Sequence, residues 1–183
     1  MSTQTIEQGV PAGTYVVDPV HSSIGFSVTH NGVSAFRSGF RDYEAKFEGG
    51  DAPKLSGSVD VASIDIGEEQ FKGHLLSPDF FDAENHPQLK FASSELNIAE
   101  DGSLKLRGEL EIRGRKQQVE AVGRFAQLGE DMAGGARVGL SLETAIDRRS
   151  FGLNWQMELP SGGEALGYEV SLVVELELVA ETA

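Results

Sequence analysis

The sequence predicts an all-β fold in which about eight mostly antiparallel strands close into an elongated barrel. Apolar and polar residues alternate in segments along the whole chain, as they do in strands with one buried and one exposed face. The chain has 22 glycines and 6 prolines, which is typical of strands joined by tight turns. The segments are also long, reaching about 14 residues where ordinary strands have about five or six. A sandwich of two sheets would show the same alternation and is the alternative architecture.

The predicted strands follow one another with short connections. They cover residues 14–18, 22–30, 41–47, 55–66, 88–98, 104–113, 118–128, 136–146 and 165–179. Asn31-Gly32 and Asp101-Gly102 are turn signals. Residues 33–39 are predicted as a short irregular or helical piece. In the fourth strand the apolar positions change from odd to even residue numbers near Ala62-Ser63, which predicts a β-bulge there.

A change of periodicity distinguishes residues 68–94 from the rest of the chain. Phe71, Leu75 and the Phe80-Phe81 pair recur at helical spacing. Ser77-Pro78 interrupts that helix, because proline lacks a backbone donor and its ring clashes with the preceding turn. From residue 88 onward the apolar positions return to a period of two. We therefore predict a short helical lid over the mouth of a hollow barrel.

The length of the strands and the small size of some inward positions predict that the barrel is not solidly filled. A strand of about 14 residues, tilted by about 40°, gives a barrel roughly 35 Å tall. Several candidate inward positions carry little or no side chain: Ala45, Gly57, Gly108 and Ala121. Bulky residues would be needed to fill so tall a barrel, so we expect a tunnel.

Composition limits the functional classes. The chain of 183 residues is acidic, with 15 Lys and Arg against 29 Asp and Glu and a formal net charge of -14, so we expect no nucleic-acid binding. No segment is apolar enough to insert into a membrane, and no cysteine is present to form a disulfide or a thiolate metal site. We predict a flexible leader at 1–12 and one domain at 13–183. The N-terminus has no secretory signal, which predicts a cytoplasmic protein, or a periplasmic or secreted one if a signal peptide has been removed.

Four stretches resemble a known family in order and spacing over nearly the whole chain. They are DPVHSSIGFSVTH at 18–30, GHLLSPDFFDAENHPQLKFAS at 73–93, LRGELEIRG at 106–114 and IDRRSFGL at 146–153. Together they resemble the YceI-like (polyisoprenoid-binding) family. The resemblance implies a lipocalin-like antiparallel barrel whose hydrophobic tunnel binds a long isoprenoid or similar amphiphile, and it implies that homodimers are common.

The predicted ligand-binding residues are mostly aromatic and lie in the barrel strands, in the lid and in the loop 147–163. They are Phe26, Val28, His30, Phe71, His74, Leu75, Phe80, Phe81, Phe91, Arg148, Phe151 and Trp155. For each aromatic residue, plain core packing is the alternative. His74 or Arg148 would orient a polar head group. For Arg148 we favour a structural ion pair with a carboxylate such as Asp79 or Asp82.

We expect neither a metal site nor a cofactor nor a catalytic residue. The four histidines, His21, His30, His74 and His86, have no tight ligand spacing, so hydrogen-bonded structural histidines are the better interpretation. The sequence thus predicts a binding protein that carries or stores an isoprenoid, an isoprenoid quinone or a fatty-acid-like lipid. The alternatives are an enzyme that acts on such a lipid through His21 or His30, and a structural or stress protein with a filled barrel.

Overall fold

The computed structural model describes residues 9–182 as ten strands, one α-helix and two 3-10 helices. The strands are β1 (Thr14–Val17), β2 (Ser23–His30), β3 (Ser34–Phe40), β4 (Tyr43–Glu48), β5 (Lys54–Asp60), β6 (Gln88–Ile98), β7 (Ser103–Ile112), β8 (Arg115–Leu128), β9 (Arg137–Asp147) and β10 (Leu166–Ala180). Helix α1 spans Glu69–Leu76, and the 3-10 helices span Val61–Ser63 and Arg148–Phe151.

The strands form one closed antiparallel barrel, which confirms the predicted fold class. The hydrogen-bonded order is β1-β4-β5-β6-β7-β8-β9-β10-β2-β3, and an additional β1–β10 pairing closes the ring. Strand β10 is long enough to pair with β2 along its first part and with β1 along its end. Strands β1 and β2 therefore share one position of the barrel, as β3 and β4 do, and the ten strands occupy eight positions.

The prediction of an irregular or helical piece at residues 33–39 was wrong, because residues 34–39 belong to strand β3. Phe36 and Phe40 are four residues apart, which resembles helical spacing, but β3 pairs with β2 from Ile24↔Phe40 to His30↔Ser34. The turn before it has left-handed backbone at both Asn31 (φ 52°) and Gly32 (φ 69°). That turn reverses the chain and places β3 beside β2, so pairing determines the conformation here.

The predicted strand 55–66 ends earlier than expected. Strand β5 stops at Asp60, and the change of phase near Ala62-Ser63 comes from the 3-10 helix and not from a β-bulge. The Asp60 side chain caps this helix by accepting from the backbone N–H of Ala62 at 2.9 Å. The turn brings Ile64 against Phe40, where the two residues form an isolated bridge.

The interior contains two hydrophobic clusters, one towards each end of the barrel. The lower cluster is built on Phe47, Phe125 and Leu178 and closes the end at which β1 pairs with β10. The upper cluster is built on Phe40, Phe80 and Phe151 and joins the strands to α1 and to the loop after β9. Of the predicted leader at 1–12, residues 1–8 lie outside the described residues, and Val10 packs against the lower cluster.

Candidate ligand-binding cavity

A cavity of about 690 Å³ occupies the upper part of the barrel. Its walls are mainly the inward side chains of the strands, and its cover is α1 with the segments that follow α1 and β9. Strand β10 alone contributes a row of aliphatic side chains: Leu166, Val170, Leu172, Val174 and Leu176. A volume of this size is typical of small-molecule sites, and the lining is predominantly apolar. The site therefore suits an apolar molecule.

The lower cluster closes the cavity at its base. Leu106, Leu142 and Leu176 face the cavity, whereas Phe47 and Phe125 do not line it. The rings of Phe47 and Phe125 lie 5.8 Å apart between centroids and fill the barrel beneath the leucines. Within residues 9–182 the hollow is thus a blind pocket, shorter than the tunnel expected from strand length.

Small residues make the room for the cavity at mid-height, as their inward positions predicted. Ala45, Gly57 and Ala121 all line it. Gly108 lies behind the ring of Phe91, where a Cβ atom would come within 2.5 Å of that ring and of the carbonyl oxygen of Ala92. The absence of a side chain at position 108 leaves the space that the edge of the Phe91 ring occupies.

Helix α1 begins and ends where its flanking side chains cap it. The Glu68 carboxylate accepts from the backbone N–H groups of Gln70 and Phe71, and the helix ends at Ser77, before Pro78. These caps set where α1 starts and stops. Phe71 contacts Phe36 of β3 edge-to-face, with 5.4 Å between ring centroids, and Leu75 is buried beneath the helix.

Three aromatic rings meet at the mouth, two from the lid and one from the loop after β9. The ring centroids of His74 and Phe80 are 5.1 Å apart, those of Phe80 and Trp155 are 5.3 Å apart, and those of His74 and Trp155 are 5.5 Å apart. His74 Nε2 lies 3.1 Å from an Asp79 carboxylate oxygen. This hydrogen bond fixes the orientation of the imidazole, whose other nitrogen remains available to a ligand.

Arg148 is buried, with 4% of its surface exposed, and the expected ion pair with Asp79 or Asp82 was wrong. Its guanidinium donates to four backbone carbonyls: Leu153 at 2.7 Å, Trp155 and Gly167 at 2.8 Å, and Leu166 at 3.1 Å. Two of these carbonyls, those of Leu166 and Gly167, lie where the β2–β10 register shifts between Leu166 and Val170, and the Leu166 carbonyl also accepts from Gln156 Nε2 at 2.7 Å. Burial lowers the pKa of Arg148 from its ordinary value. The side chain holds the loop after β9 on the irregular part of β10.

Of the twelve predicted ligand-binding residues, eleven line the cavity. They are Phe26, Val28, His30, Phe71, His74, Leu75, Phe80, Phe81, Phe91, Arg148 and Trp155. Phe151 is outside the lining; it is 1% exposed and belongs to the upper cluster. The structure thus brings the predicted set together and places Phe151 in the core behind it.

The prediction omitted Phe36 and Phe40, which also line the cavity. Phe40 contacts Phe81 of the lid, with 6.1 Å between ring centroids. Both residues were missed because strand β3 was not recognised. The signal that could have revealed them is the alternation of Phe36, Ser38 and Phe40 directly after the Asn31-Gly32 turn.

His21 lies outside the cavity, in an ionic cluster at the break between β1 and β2. Its Nδ1 is 2.9 Å from Asp18, and Asp18, His21 and Glu177 lie close enough together to hold a cation. The guanidinium of Arg137 fills that role, donating to Asp18 and Glu177 at 2.8 Å each. Hydrogen bonds from His21 and then Arg137 lower the pKa of Asp18. The cluster therefore ties β1 to β9 and β10.

Comparison with known proteins gives relatives in several bacteria. The chain is 33% identical over 173 residues to a UPF0312 protein of Shewanella denitrificans, covering 91% of this chain and 88% of that one. It is 30% identical over 148 residues to a UPF0312 protein of Vibrio cholerae serotype O1, covering 78% of each.

Two solved structures show the same fold at lower sequence identity. Burkholderia cenocepacia BcnA has a TM-score of 0.73 and 23% identity, with 90% of this chain and 99% of that one covered. A polyisoprenoid binding domain from Saccharophagus degradans, implicated in plant cell wall breakdown, has a TM-score of 0.67 and 11% identity, with 93% and 100% covered. The YceI-like domain family matches residues 15–178. Because this match covers nearly the whole chain, and the closed barrel and its lid agree with it, the chain belongs to the YceI-like domain family.

Proposed function

We propose that this protein binds one long-chain amphiphilic lipid, a polyisoprenoid, an isoprenoid quinone or a fatty-acid-like molecule, in order to carry or store it. The observation that carries this proposal is the blind cavity of about 690 Å³ with its predominantly apolar lining. The proposal is further supported by the chain's membership in the YceI-like family and by the fold that it shares with a polyisoprenoid binding domain.

Burial of the lipid tail supplies the affinity. Each methylene group removed from water contributes about 0.8 kcal/mol before the costs of ordering the chain and the protein. Leu172 and Ile146 form part of the wall, and neither presents a polar atom that would have to be desolvated. Such a surface accepts apolar chains of many chemical kinds, so the chemical class of the lipid is recognised through its head group.

His74 is the group that orients the head of the lipid. It lines the cavity at the mouth, and its ring is held by Asp79 on one side and by Phe80 and Trp155 on the others. Arg148 also lines the cavity, but its hydrogen bonds to four backbone carbonyls engage most of its donors. Arg148 therefore supports the site, and His74 meets the ligand.

A catalytic role is the less favoured function. An enzyme of this fold would need a titratable group in the cavity with an acidic partner. His21 has such a partner in Asp18 but does not line the cavity, whereas His30 lines it without a carboxylate within bonding distance among residues 9–182. Binding alone accounts for the arrangement.

Some predictions concern the setting of the protein and not its cavity. The cytoplasmic location, the homodimer and the absence of nucleic-acid and membrane partners stay predictions from the sequence. Among the described residues, no helix is both long and apolar enough to cross a membrane.

Trp155 gives a direct test, because it is the single tryptophan of the chain and lines the cavity. We expect titration with geranylgeraniol to change Trp155 fluorescence saturably at one molecule per chain. Ala121→Phe would fill part of the cavity and weaken this binding at least tenfold, whereas Ala126→Phe places the same side chain on the exposed face of the same strand. No saturable change, or equal binding by the two variants, would contradict the proposal.

A further inference from the structure

The base of the cavity is a set of four leucines contributed by four different strands. Leu55 of β5, Leu106 of β7, Leu142 of β9 and Leu176 of β10 all line the cavity, and each is only 5–6% exposed. They come from opposite sides of the barrel, so together they span its width. We refer to these four residues as the leucine floor.

The barrel below the leucine floor is filled. Phe47 and Leu178 are fully buried, at 0% exposure, and Phe125 is 3% exposed. None of these three residues lines the cavity. Protein interiors packed in this way leave no room for a chain of atoms without displacement of whole side chains. A ligand tail that reaches the leucine floor therefore stops there.

The volume above the floor sets the size of the buried tail. A methylene group is about the size of a water molecule, whose share of liquid volume is roughly 30 Å³, so a cavity of about 690 Å³ holds on the order of 20 such groups. An isoprene unit has five carbon atoms, so about four units fill the cavity. A chain of eight or more units would have to leave at least half of its length outside the lid.

From this geometry we infer that the cavity measures chain length, and that it selects isoprenoid or fatty-acid-like tails of about 20 carbon atoms. The inference rests on the proposed lipid binding and adds a length limit to it. Each isoprene unit that enters the cavity raises the affinity more than about tenfold, because its methylene and methyl groups leave water. A unit that stays outside gains nothing, so affinity stops rising once the cavity is full.

The length limit also predicts how the floor can be lowered. Leu142→Ala together with Leu176→Ala removes six side-chain carbon atoms from the floor, which is room for about one more isoprene unit. Leu104→Ala is the matched control: Leu104 is 1% exposed, lies one inward position below Leu106 on β7 and does not line the cavity. It loses three carbon atoms of the same kind, half as many as the double variant, without extending the space available to the tail.

The test is a series of prenyl alcohols of two, three, four, five, six and nine isoprene units, with dissociation constants measured through Trp155 fluorescence. We expect the affinity of the unaltered protein to rise to about four units and then to level off or fall. In the Leu142→Ala, Leu176→Ala variant, the chain length at which the affinity stops rising should increase by about one unit. In Leu104→Ala this chain length should be unchanged.

Two results would overturn the inference, and they are distinguishable. An affinity that keeps rising up to nine units in the unaltered protein would contradict the length limit while leaving lipid binding intact. Failure of every alcohol to bind would overturn the proposed function and the length limit together. Because the unaltered protein alone decides between these results, the inference stays testable even if the double variant does not fold.

Discussion

The Nε atom of Arg148 donates a hydrogen bond to the carbonyl oxygen of Gly167 at 2.8 Å, which joins the end of β9 to the irregular start of β10. The same guanidinium reaches Leu153 and Trp155 in the loop between them. A buried charge without a carboxylate partner is unusual, and here the partners are backbone carbonyls of the loop after β9 and of the irregular start of β10. Arg148 thus substitutes for missing strand hydrogen bonds at the mouth of the cavity.

Loss of this side chain should therefore destabilise the fold. Arg148→Met leaves several buried carbonyls without a donor, and we expect the free energy of unfolding to fall by about 3 kcal/mol. Denaturant unfolding followed by circular dichroism measures it. The control is Arg149→Met, since Arg149 is exposed and pairs with Asp147 at the surface, and a loss below about 1 kcal/mol is expected there. Equal losses in the two variants would contradict the assigned role.

The contact between Gly108 and Phe91 gives a second prediction. A Cβ atom at position 108 would lie 2.5 Å from the Phe91 ring and from the Ala92 carbonyl oxygen. We expect Gly108→Ala to lower the free energy of unfolding by about 1–3 kcal/mol through overpacking. Gly139→Ala is the control on another strand, because the nearest atom there is 3.8 Å away.

A second substitution distinguishes the clash with the Phe91 ring from the clash with the Ala92 carbonyl oxygen. Phe91→Leu in the Gly108→Ala background removes the ring but leaves the Ala92 carbonyl in place. We expect partial recovery of stability compared with the sum of the two single changes, which a double-mutant cycle measures. Strict additivity would show that the ring is not what Gly108 accommodates.

Acid should weaken the ionic cluster around Arg137. A hydrogen bond from Arg137, followed by bonds from the backbone N–H groups of Gly135 and Ala133, lowers the pKa of Asp131 from 3.8 to about 2. Because the folded-state pKa is the lower one, the stabilisation is present above pH 3.8 and is lost as the pH falls through about 2.

Arg137→Met tests this dependence. The unaltered protein should lose more stability than the variant between about pH 5 and pH 2, so that their unfolding free energies converge in acid. Arg41→Met, which breaks an exposed ion pair with Asp65, should give a smaller change. If the difference in unfolding free energy between the unaltered protein and Arg137→Met stayed constant over this pH range, the pairing of Arg137 with Asp131 would not be the source of the acid sensitivity.

The stability that His21 contributes depends on pH in the opposite direction, being lost as the pH rises. The hydrogen bond to Asp18 raises the pKa of His21 above its ordinary value of 6.5. The stabilisation is therefore complete below pH 6.5 and is lost as the pH rises through the folded-state pKa. His21→Gln should remove this alkaline loss, and thermal unfolding of the two proteins from about pH 5 to pH 9 measures it. Parallel curves would show that protonated His21 adds nothing.

Much of the barrel follows from local pattern. The alternation of Leu104, Leu106, Leu110 and Ile112 has one physical meaning, a strand with one buried face, and β7 lies there. The small residues Ala45 and Gly57 indicated open space at mid-height, and both line the cavity. Such features depend on a residue and its immediate neighbours, so the sequence contains them.

The features that the sequence did not reveal depend on long-range pairing and on volume. Phe36 belongs to a strand because β2 pairs with it, although its spacing to Phe40 resembles a helix. Arg148 finds carbonyl partners because the register of β10 shifts, and no residue pattern marks that shift. The depth of the cavity depends on how the side chains around Phe47 and Phe125 fill the lower barrel, which only the assembled packing determines.

The most direct test of the account is native mass spectrometry of the protein as purified, followed by organic extraction and identification of what is released. The account predicts one long-chain lipid per chain, with about 20 carbon atoms in its tail if the leucine floor limits its length, and loss of that lipid in Ala121→Phe but not in Ala126→Phe. A mass without ligand, together with no stabilisation by added prenyl alcohols, quinones or fatty acids, would contradict the proposal that this barrel binds lipid.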